Sequence, residues 1–224
     1  MQIVKLSLAT LISLIVVVNG PFGFDTQHES VQTAQVKSAD IWAQENYATA
    51  LSMILPSGEI EPTQFPKNVK WTVTVRILPP FEKPEYRFSM QRFYDGRVEV
   101  SVIKVKGSSI LSQLQTLRTK YPDDSLQKIS GFVSLDQLKS TQSEKPQLSR
   151  LANEFEVINI SPVLPDELRV DDTGYEFWSQ SLWGNRMTLN LGGPGPGTRR
   201  QPHPLLEWAE AVRSTIEGPA RAGN

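Results

Sequence analysis

The sequence predicts an α+β fold, a single domain in which helices pack on an antiparallel sheet of about five to seven strands. Residues 69–78 alternate apolar and polar side chains, and turn signals at Asp95-Gly96 and Gly184-Asn185 each separate two extended runs. Helical spacing of apolar residues, with helix-capping residues at the ends, predicts the main helices. These helices are expected over residues 40–55, 109–121 and 203–217.

The composition is that of a folded domain, and it excludes several kinds of chemistry. The chain has 224 residues, 39% of them hydrophobic, and a net charge of −1, so it has no general attraction for nucleic acid or anionic lipid. It contains no cysteine, which excludes disulfides, thiolate metal sites and a thiol nucleophile. We expect no metal, no cofactor and no nucleic-acid partner.

The N-terminal segment, residues 1–24, has the pattern of an export signal. Lys5 precedes a mostly apolar run of 13 residues, Leu6–Val18, and Asn19-Gly20-Pro21 then breaks any helix. The segment is therefore predicted to be a cleaved signal peptide or, if it is not cut, a signal anchor that attaches the protein to a membrane. Because small exported eukaryotic domains often carry disulfides, the absence of cysteine favours a bacterial periplasm or cell surface.

The first elements follow this segment. Residues 25–37 are polar and not periodic, so we predict a flexible lead-in before a single domain over residues 38–218 and a disordered tail at 219–224. Asp40 can cap a helix that runs to about Leu55. The strand over residues 69–78 comes next, with odd-numbered residues such as Val73 and Val75 facing the core. Its even-numbered residues are polar and are expected to face solvent, so Thr74→Lys should be tolerated.

A hairpin is predicted over residues 85–106 around Asp95-Gly96, a strong signal for a two-residue turn. This turn places Arg92 opposite Glu99, a cross-strand pair of opposite charge, and Met90 opposite Ser101. The stretch has an excess of basic residues that can attract an anion, although a solvated outer face is the favoured interpretation. The helix over 109–121 follows, then a short strand over 131–135, a short helix beginning near Pro146 and a strand over 157–160.

A second hairpin, over residues 175–191, carries the candidate ligand site. With Gly184-Asn185 as a two-residue turn, Trp178, Met187 and Leu189 share a core face. The opposite face is polar and suits a sugar, a peptide or another polar molecule. Its residues are Ser179, Ser181, Thr188 and Asn190, bounded by Trp183 and Arg186. A plain solvent-facing strand surface is the alternative, and the sequence favours it.

A candidate anion site lies in the Gly/Pro-rich segment before the last helix. Arg199, Arg200 and His203 precede a helix N-terminus, where a carboxylate or phosphate group is stabilised. Two prolines in the segment lack the N–H groups that a phosphate loop needs, and the glycine spacing of a nucleotide loop is absent. We therefore interpret the segment mainly as a connector, and Trp208 as the main anchor of the helix that follows.

Few residues suited to catalysis are present. The two histidines are His28 and His203, and no Gly-x-Ser-x-Gly motif accompanies them, which argues against a Ser-His-Asp hydrolase. The predicted function is therefore that of a non-catalytic exported module that binds a polar ligand or another envelope protein. The alternative is an exported hydrolase whose carboxylates come from separate loops.

Overall fold

The computed structural model describes residues 26–80, 83–158, 173–181, 186–193 and 203–218. The helices within these ranges are α1 (Thr26–Ile54), α2 (Ile110–Lys120), α3 (Leu126–Ser130), α4 (Gln147–Val157) and α5 (Pro204–Glu217). The strands are β1 (Val69–Leu78), β2 (Tyr86–Phe93), β3 (Val98–Val105), β4 (Leu135–Thr141), β5 (Gly174–Ser181) and β6 (Arg186–Gly192). The predicted export signal and C-terminal tail lie outside the described residues.

All six strands form one antiparallel sheet in the order β4-β3-β2-β1-β5-β6. The predicted class, an α+β fold with helices on an antiparallel sheet, is therefore confirmed. β1 to β4 pair in succession as a meander, whereas β5 returns to the free side of β1. The strand that comes first in the sequence consequently lies inside the sheet, with β2 on one side and β5 on the other.

Helices α4 and α5 cover one face of the sheet, called face A. Val73 and Val75 of β1 point to this face and are fully buried in its apolar core. Trp208 of α5 is buried there too, and its ring lies 5.9 Å from that of Phe88 between centroids. Its indole Nε1 donates a 2.7 Å hydrogen bond to the Leu151 carbonyl of α4. Trp208 therefore holds α5 to both the sheet and α4, as an anchor of that helix should.

Helices α1, α2 and α3 cover one end of the opposite face, called face B. Leu78, Ile103 and Val105 meet apolar residues of these helices there. The middle of face B is largely polar, and its residues on the three central strands are Thr72, Thr74, Arg76, Arg87, Ser89, Gln91, Glu176, Trp178 and Gln180. Although α1 spans 29 residues, no helix in the described ranges is both long and apolar enough to cross a membrane.

The prediction that the even-numbered side of β1 faces solvent was wrong. Thr72, Thr74 and Arg76 are 3%, 0% and 5% exposed. The hydroxyls of Thr74 and Ser89 share a 2.8 Å hydrogen bond. The backbone of Gly58 passes so close to Thr74 that a side chain at residue 58 would collide with it. The segment between α1 and β1 thus covers the polar side of β1. The alternation of polar and apolar residues in β1 is the same as in a strand with one face in solvent, although here both faces are buried.

Several boundaries also differ from the predictions. α1 begins at Thr26, so the described part of the segment predicted as a lead-in is helical. The strand predicted over 131–135 is displaced, because β4 begins only at Leu135. Val157 is the last residue of α4, so the strand predicted over 157–160 is wrong at that position. The helices predicted over 109–121 and 203–217 correspond to α2 and α5.

The β2–β3 hairpin is shifted by one residue from its predicted pairing. Its loop has three residues, because the Phe93 N–H donates a 2.9 Å hydrogen bond to the Arg97 carbonyl. Gly96 ends the loop with a φ of 90°, a left-handed conformation that suits glycine in a three-residue hairpin loop. The observed pairs are therefore Met90 with Val100 and Gln91 with Glu99, in place of Met90 with Ser101 and Arg92 with Glu99.

Candidate functional site

The β5–β6 hairpin contains the residues that the sequence suggested as a ligand site, and its predicted register was wrong. Phe177 lies opposite Leu189, and Ser179 lies opposite Met187 rather than Asn190. The pairing is thus shifted by three residues. Because side chains alternate along a strand, an odd shift places those of β5 on the other face relative to β6. The apolar residues Phe177 and Leu189 consequently share face A.

The candidate ligand residues are therefore split between the two faces. Ser179 and Ser181 lie on face A, where they oppose residues of β1. The residues of the candidate site that are exposed on face B are Arg186, Thr188 and Asn190. Trp178, which was expected on the core face, stands beside them and pairs with Thr188. Trp183 lies outside the described residues.

His203 acts as the N-cap of α5. Its Nδ1 accepts a hydrogen bond of 3.2 Å from the Leu205 N–H, which requires that nitrogen to be unprotonated. Burial lowers the pKa of His203 from its ordinary value, and this also favours the neutral ring. His203 is thus a structural acceptor here. Arg199 and Arg200, the other residues of the candidate anion site, lie outside the described ranges.

A cleft of about 440 Å³ opens on face A, near the start of β1 and the end of α4. The lining residues are Lys70, Trp71, Phe155, Glu156, Ile158, Ser179, Met187 and Leu205. This volume lies within the range of small-molecule sites, about 300–1,000 Å³. Of the predicted ligand residues that the structure describes, Ser179 alone lines the cleft.

Aromatic rings form the apolar wall of the cleft. The rings of Trp71 and Phe155 lie 5.0 Å apart between centroids and are inclined by 47°. Phe155 lies 4.8 Å from the ring of Trp208 in turn. The three rings connect β1, α4 and α5, and each restricts the rotation of the next. The wall is therefore built by the fold itself.

Glu156 is the polar centre of the cleft. Its Oε1 accepts a hydrogen bond of 2.8 Å from Trp71 Nε1 and one of 3.0 Å from Lys70 Nζ. Burial alone raises the pKa of this carboxyl group, but the two hydrogen bonds and the charge of Lys70 outweigh it and hold the pKa below its ordinary value. Glu156 is thus an ionised acceptor at neutral pH, positioned by β1.

The ionisation state of Glu156 suits hydrogen-bond acceptance better than general acid catalysis. A general acid at neutral pH needs a raised pKa, and that of Glu156 is lowered. His203 caps α5 and does not bond to Ser179. In the same ranges no group of three or more histidines and carboxylates is arranged to hold a metal ion. The cleft can orient a molecule through the Glu156 carboxylate and the Lys70 ammonium group.

Sequence reasoning found Ser179 but missed the rest of the cleft as a site. Trp71 is one of the odd-numbered residues of the strand predicted over 69–78, and Phe155 follows the start of the short helix predicted near Pro146. The bond between Trp71 and Glu156 joins residues 85 positions apart in the chain. No local spacing pattern can reveal such a pair, because its geometry depends on how α4 crosses the sheet.

No family model, curated protein or solved structure matches this chain. Its function must therefore be inferred from the geometry and charge of its own residues. The cleft on face A has the volume expected of a ligand site, and it is lined by both apolar and charged side chains, as such sites are.

Proposed function

We propose that the protein is an exported, non-catalytic binding module whose cleft on face A holds a polar small molecule with an apolar portion. The observation that carries this proposal is an aromatic wall, formed by Trp71 and Phe155, beside one ionised carboxylate, that of Glu156. The apolar wall supplies affinity through buried area. The charged groups supply orientation, because they bond only to ligand atoms placed correctly.

The polar groups of the cleft define the ligand chemistry further. Both hydrogen bonds to Glu156 end on Oε1, so Oε2 has no partner within the described part of the chain. A ligand amine or hydroxyl group can donate to this oxygen. The side chain of Lys70 is 47% exposed and can donate to a carbonyl or carboxylate of the same ligand. A short peptide or an amino-acid derivative combines such groups with an apolar portion.

Export is the second part of the proposal. Its support is the run Leu6–Val18 after Lys5 and the lack of cysteine, which together favour a bacterial periplasm or cell surface. N-terminal sequencing of the protein recovered from a fractionated bacterial host tests it. We expect an envelope protein whose first residue lies between residues 20 and 30, or an intact chain held in the membrane if the signal is not cut. A cytoplasmic protein with Met1 intact would contradict export.

A pair of variants on the β5–β6 hairpin tests the cleft. Ser179→Trp places a large side chain in the cleft, whereas Thr188→Trp places the same side chain on the exposed surface of face B. Thermal unfolding is measured with apolar amino-acid amides, dipeptides and simple sugars. We expect amides or dipeptides to raise the Tm of the wild type and of Thr188→Trp but not of Ser179→Trp.

Other results of this experiment separate the alternatives. If Ser179→Trp is stabilised as much as the wild type, the ligand binds elsewhere. If the wild-type protein converts a dipeptide or an amide to its hydrolysis products, the exported hydrolase is the better description. If the small molecules have no effect and a purified envelope protein binds the wild type but not Ser179→Trp, the cleft serves a protein partner instead.

A further inference from the structure

Two arginines face each other in the polar middle of face B. Arg76 of β1 lies directly opposite Arg87 of β2. Like charges in directly opposite positions repel, so this pairing is unfavourable unless an anion compensates it. On the other side of β1, Arg76 lies opposite Glu176, and its Nη1 is 2.8 Å from Glu176 Oε2. The row of three residues therefore holds two cations and one anion.

Arg76 is held rigidly in this row. It is almost entirely buried, and its guanidinium lies 4.9 Å from the centroid of the Trp178 ring. The bond to Glu176 fixes the same group from a second direction. Its Nε is buried and has no hydrogen-bond partner among the residues that the structure describes. Arg76 is thus a cation whose orientation is fixed by Glu176 and Trp178.

Arg87 is the arginine of this row whose positive charge has no neighbouring carboxylate among the described residues. Across the described ranges, no carboxylate lies within ion-pair distance of it and no hydrogen bond from its guanidinium is formed, and its Nε is buried without a partner. Burial and the charge of Arg76 lower its pKa, although an arginine remains charged at any physiological pH. The residue as a whole is partly exposed, although its Nε is buried.

Glu85 is the acidic residue that precedes Arg87 on the same side of its strand, and its carboxylate has other partners. Its Oε1 accepts a 2.9 Å hydrogen bond from the Tyr47 hydroxyl of α1. Its Oε2 accepts a 2.8 Å hydrogen bond from the Ile110 N–H at the start of α2. Glu85 thus joins α1 and α2 to the sheet and leaves Arg87 without a carboxylate.

We propose that face B binds an oxyanion, a carboxylate or phosphate group, at Arg87 with the support of Arg76. A guanidinium offers parallel N–H groups that match two oxygens of such an anion. The negative charge also removes the repulsion between the two arginines. This site lies on the other side of the sheet from the cleft, so it does not depend on the function proposed above.

Thermal unfolding in phosphate and in chloride at equal ionic strength tests the site. We expect phosphate at about ten times its Kd to raise the Tm of the wild type by roughly 3–5 °C. Arg87→Gln should lose this increment, whereas Arg97→Gln should keep it, because Arg97 is an exposed arginine of the same hairpin. General salt effects of phosphate act on all variants alike, so the difference between variants is the measured quantity.

Two more measurements test the anion site without relying on Arg87→Gln alone. Arg87→Lys keeps the charge without the two parallel N–H groups, and it should show a reduced phosphate increment. An acetate series at the same ionic strength distinguishes the anions, since a carboxylate site responds to acetate and a phosphate site does not.

The stability of Arg87→Gln in chloride separates a binding role from a structural one. Without bound anion, this variant should be as stable as the wild type or more stable, because the repulsion from Arg76 is removed. If it is less stable in chloride and all variants gain equally from phosphate and acetate, Arg87 has its partner within the chain and the proposal is overturned.

Discussion

Both sides of β1 are buried in the middle of the sheet, but the interiors of face A and face B differ in polarity. Face A has an apolar core under α4 and α5, whereas the middle of face B is built from threonine, serine and arginine side chains. β1 contributes to both, since Val73, Thr74 and Val75 in succession are all 0% exposed. The difference shows that a buried strand position need not be apolar where neighbouring strands and the covering chain supply hydrogen-bond partners.

The two faces should also respond differently to substitution. On face A, stability depends on buried area and on how well the side chains fill the space. On face B, it depends on whether each polar atom has a partner, as Thr74 and Ser89 have in each other. Thr72 Oγ1 and Gln180 Nε2 are buried and have no hydrogen-bond partner among the described residues, so further polar groups placed there need partners of their own.

The largest effect is expected from a charge placed in the middle of face B. Thr74→Lys buries an ammonium group beside Arg76 and Gly58, and it should cost several kcal/mol or prevent folding. The control is Thr188→Lys, on the same face but on the exposed edge strand β6, which should change stability by less than about 0.5 kcal/mol. Denaturant unfolding of the two variants measures the difference. Equal tolerance of both lysines would mean that the central part of face B is open to water.

A smaller effect is expected at the start of the helix that covers face A. Since His203 Nδ1 accepts a hydrogen bond from the α5 backbone, His203→Ala should cost about 1 kcal/mol, as the loss of an N-cap does. His203→Asn should cost less, because asparagine also accepts this hydrogen bond.

The same contact should depend on pH. The pKa of His203 is lowered by burial, so folding favours the neutral ring. The contribution of the neutral His203 ring to the unfolding free energy is therefore complete at a pH above the ordinary pKa of 6.5. It is lost as the pH falls through the lower pKa that His203 has in the folded state. The unfolding free energy of the wild type should therefore decrease more between pH 7 and pH 5 than that of His203→Asn. Parallel curves for the two proteins would show that protonation does not affect this cap.

The features that could be predicted from the sequence are those that depend on residues close together in the chain. The alternation in β1 identified Val73 and Val75, and helical spacing identified Trp208, because period and capping depend on neighbouring residues. Thr74 could not be recognised as buried, because a polar residue in an alternating strand looks the same whether water or the Gly58 segment covers it.

The hairpin registers and the cleft required three-dimensional information. Two-residue turns were assumed, but the conformation of Gly96 closes a three-residue loop. In β5, the assumed turn placed Trp178 on the core face, but the pairing of Phe177 with Val75 places Phe177 there instead. The cleft could not be predicted, because it depends on the contact between Glu156 and Trp71. No turn signal or periodic pattern in the sequence indicates that contact.

The interior position of β1 has a consequence for how the chain reaches its native state. Its first partner, β2, is available soon after synthesis, but its second partner comes much later, as the separation of 100 residues between Arg76 and Glu176 shows. Until β5 arrives, one edge of a valine-rich strand has free N–H and C=O groups that can pair with another chain. Contacts between distant parts of a sequence form slowly. The rate at which β5 docks on β1 therefore sets how long a newly made chain is exposed to aggregation with its neighbours.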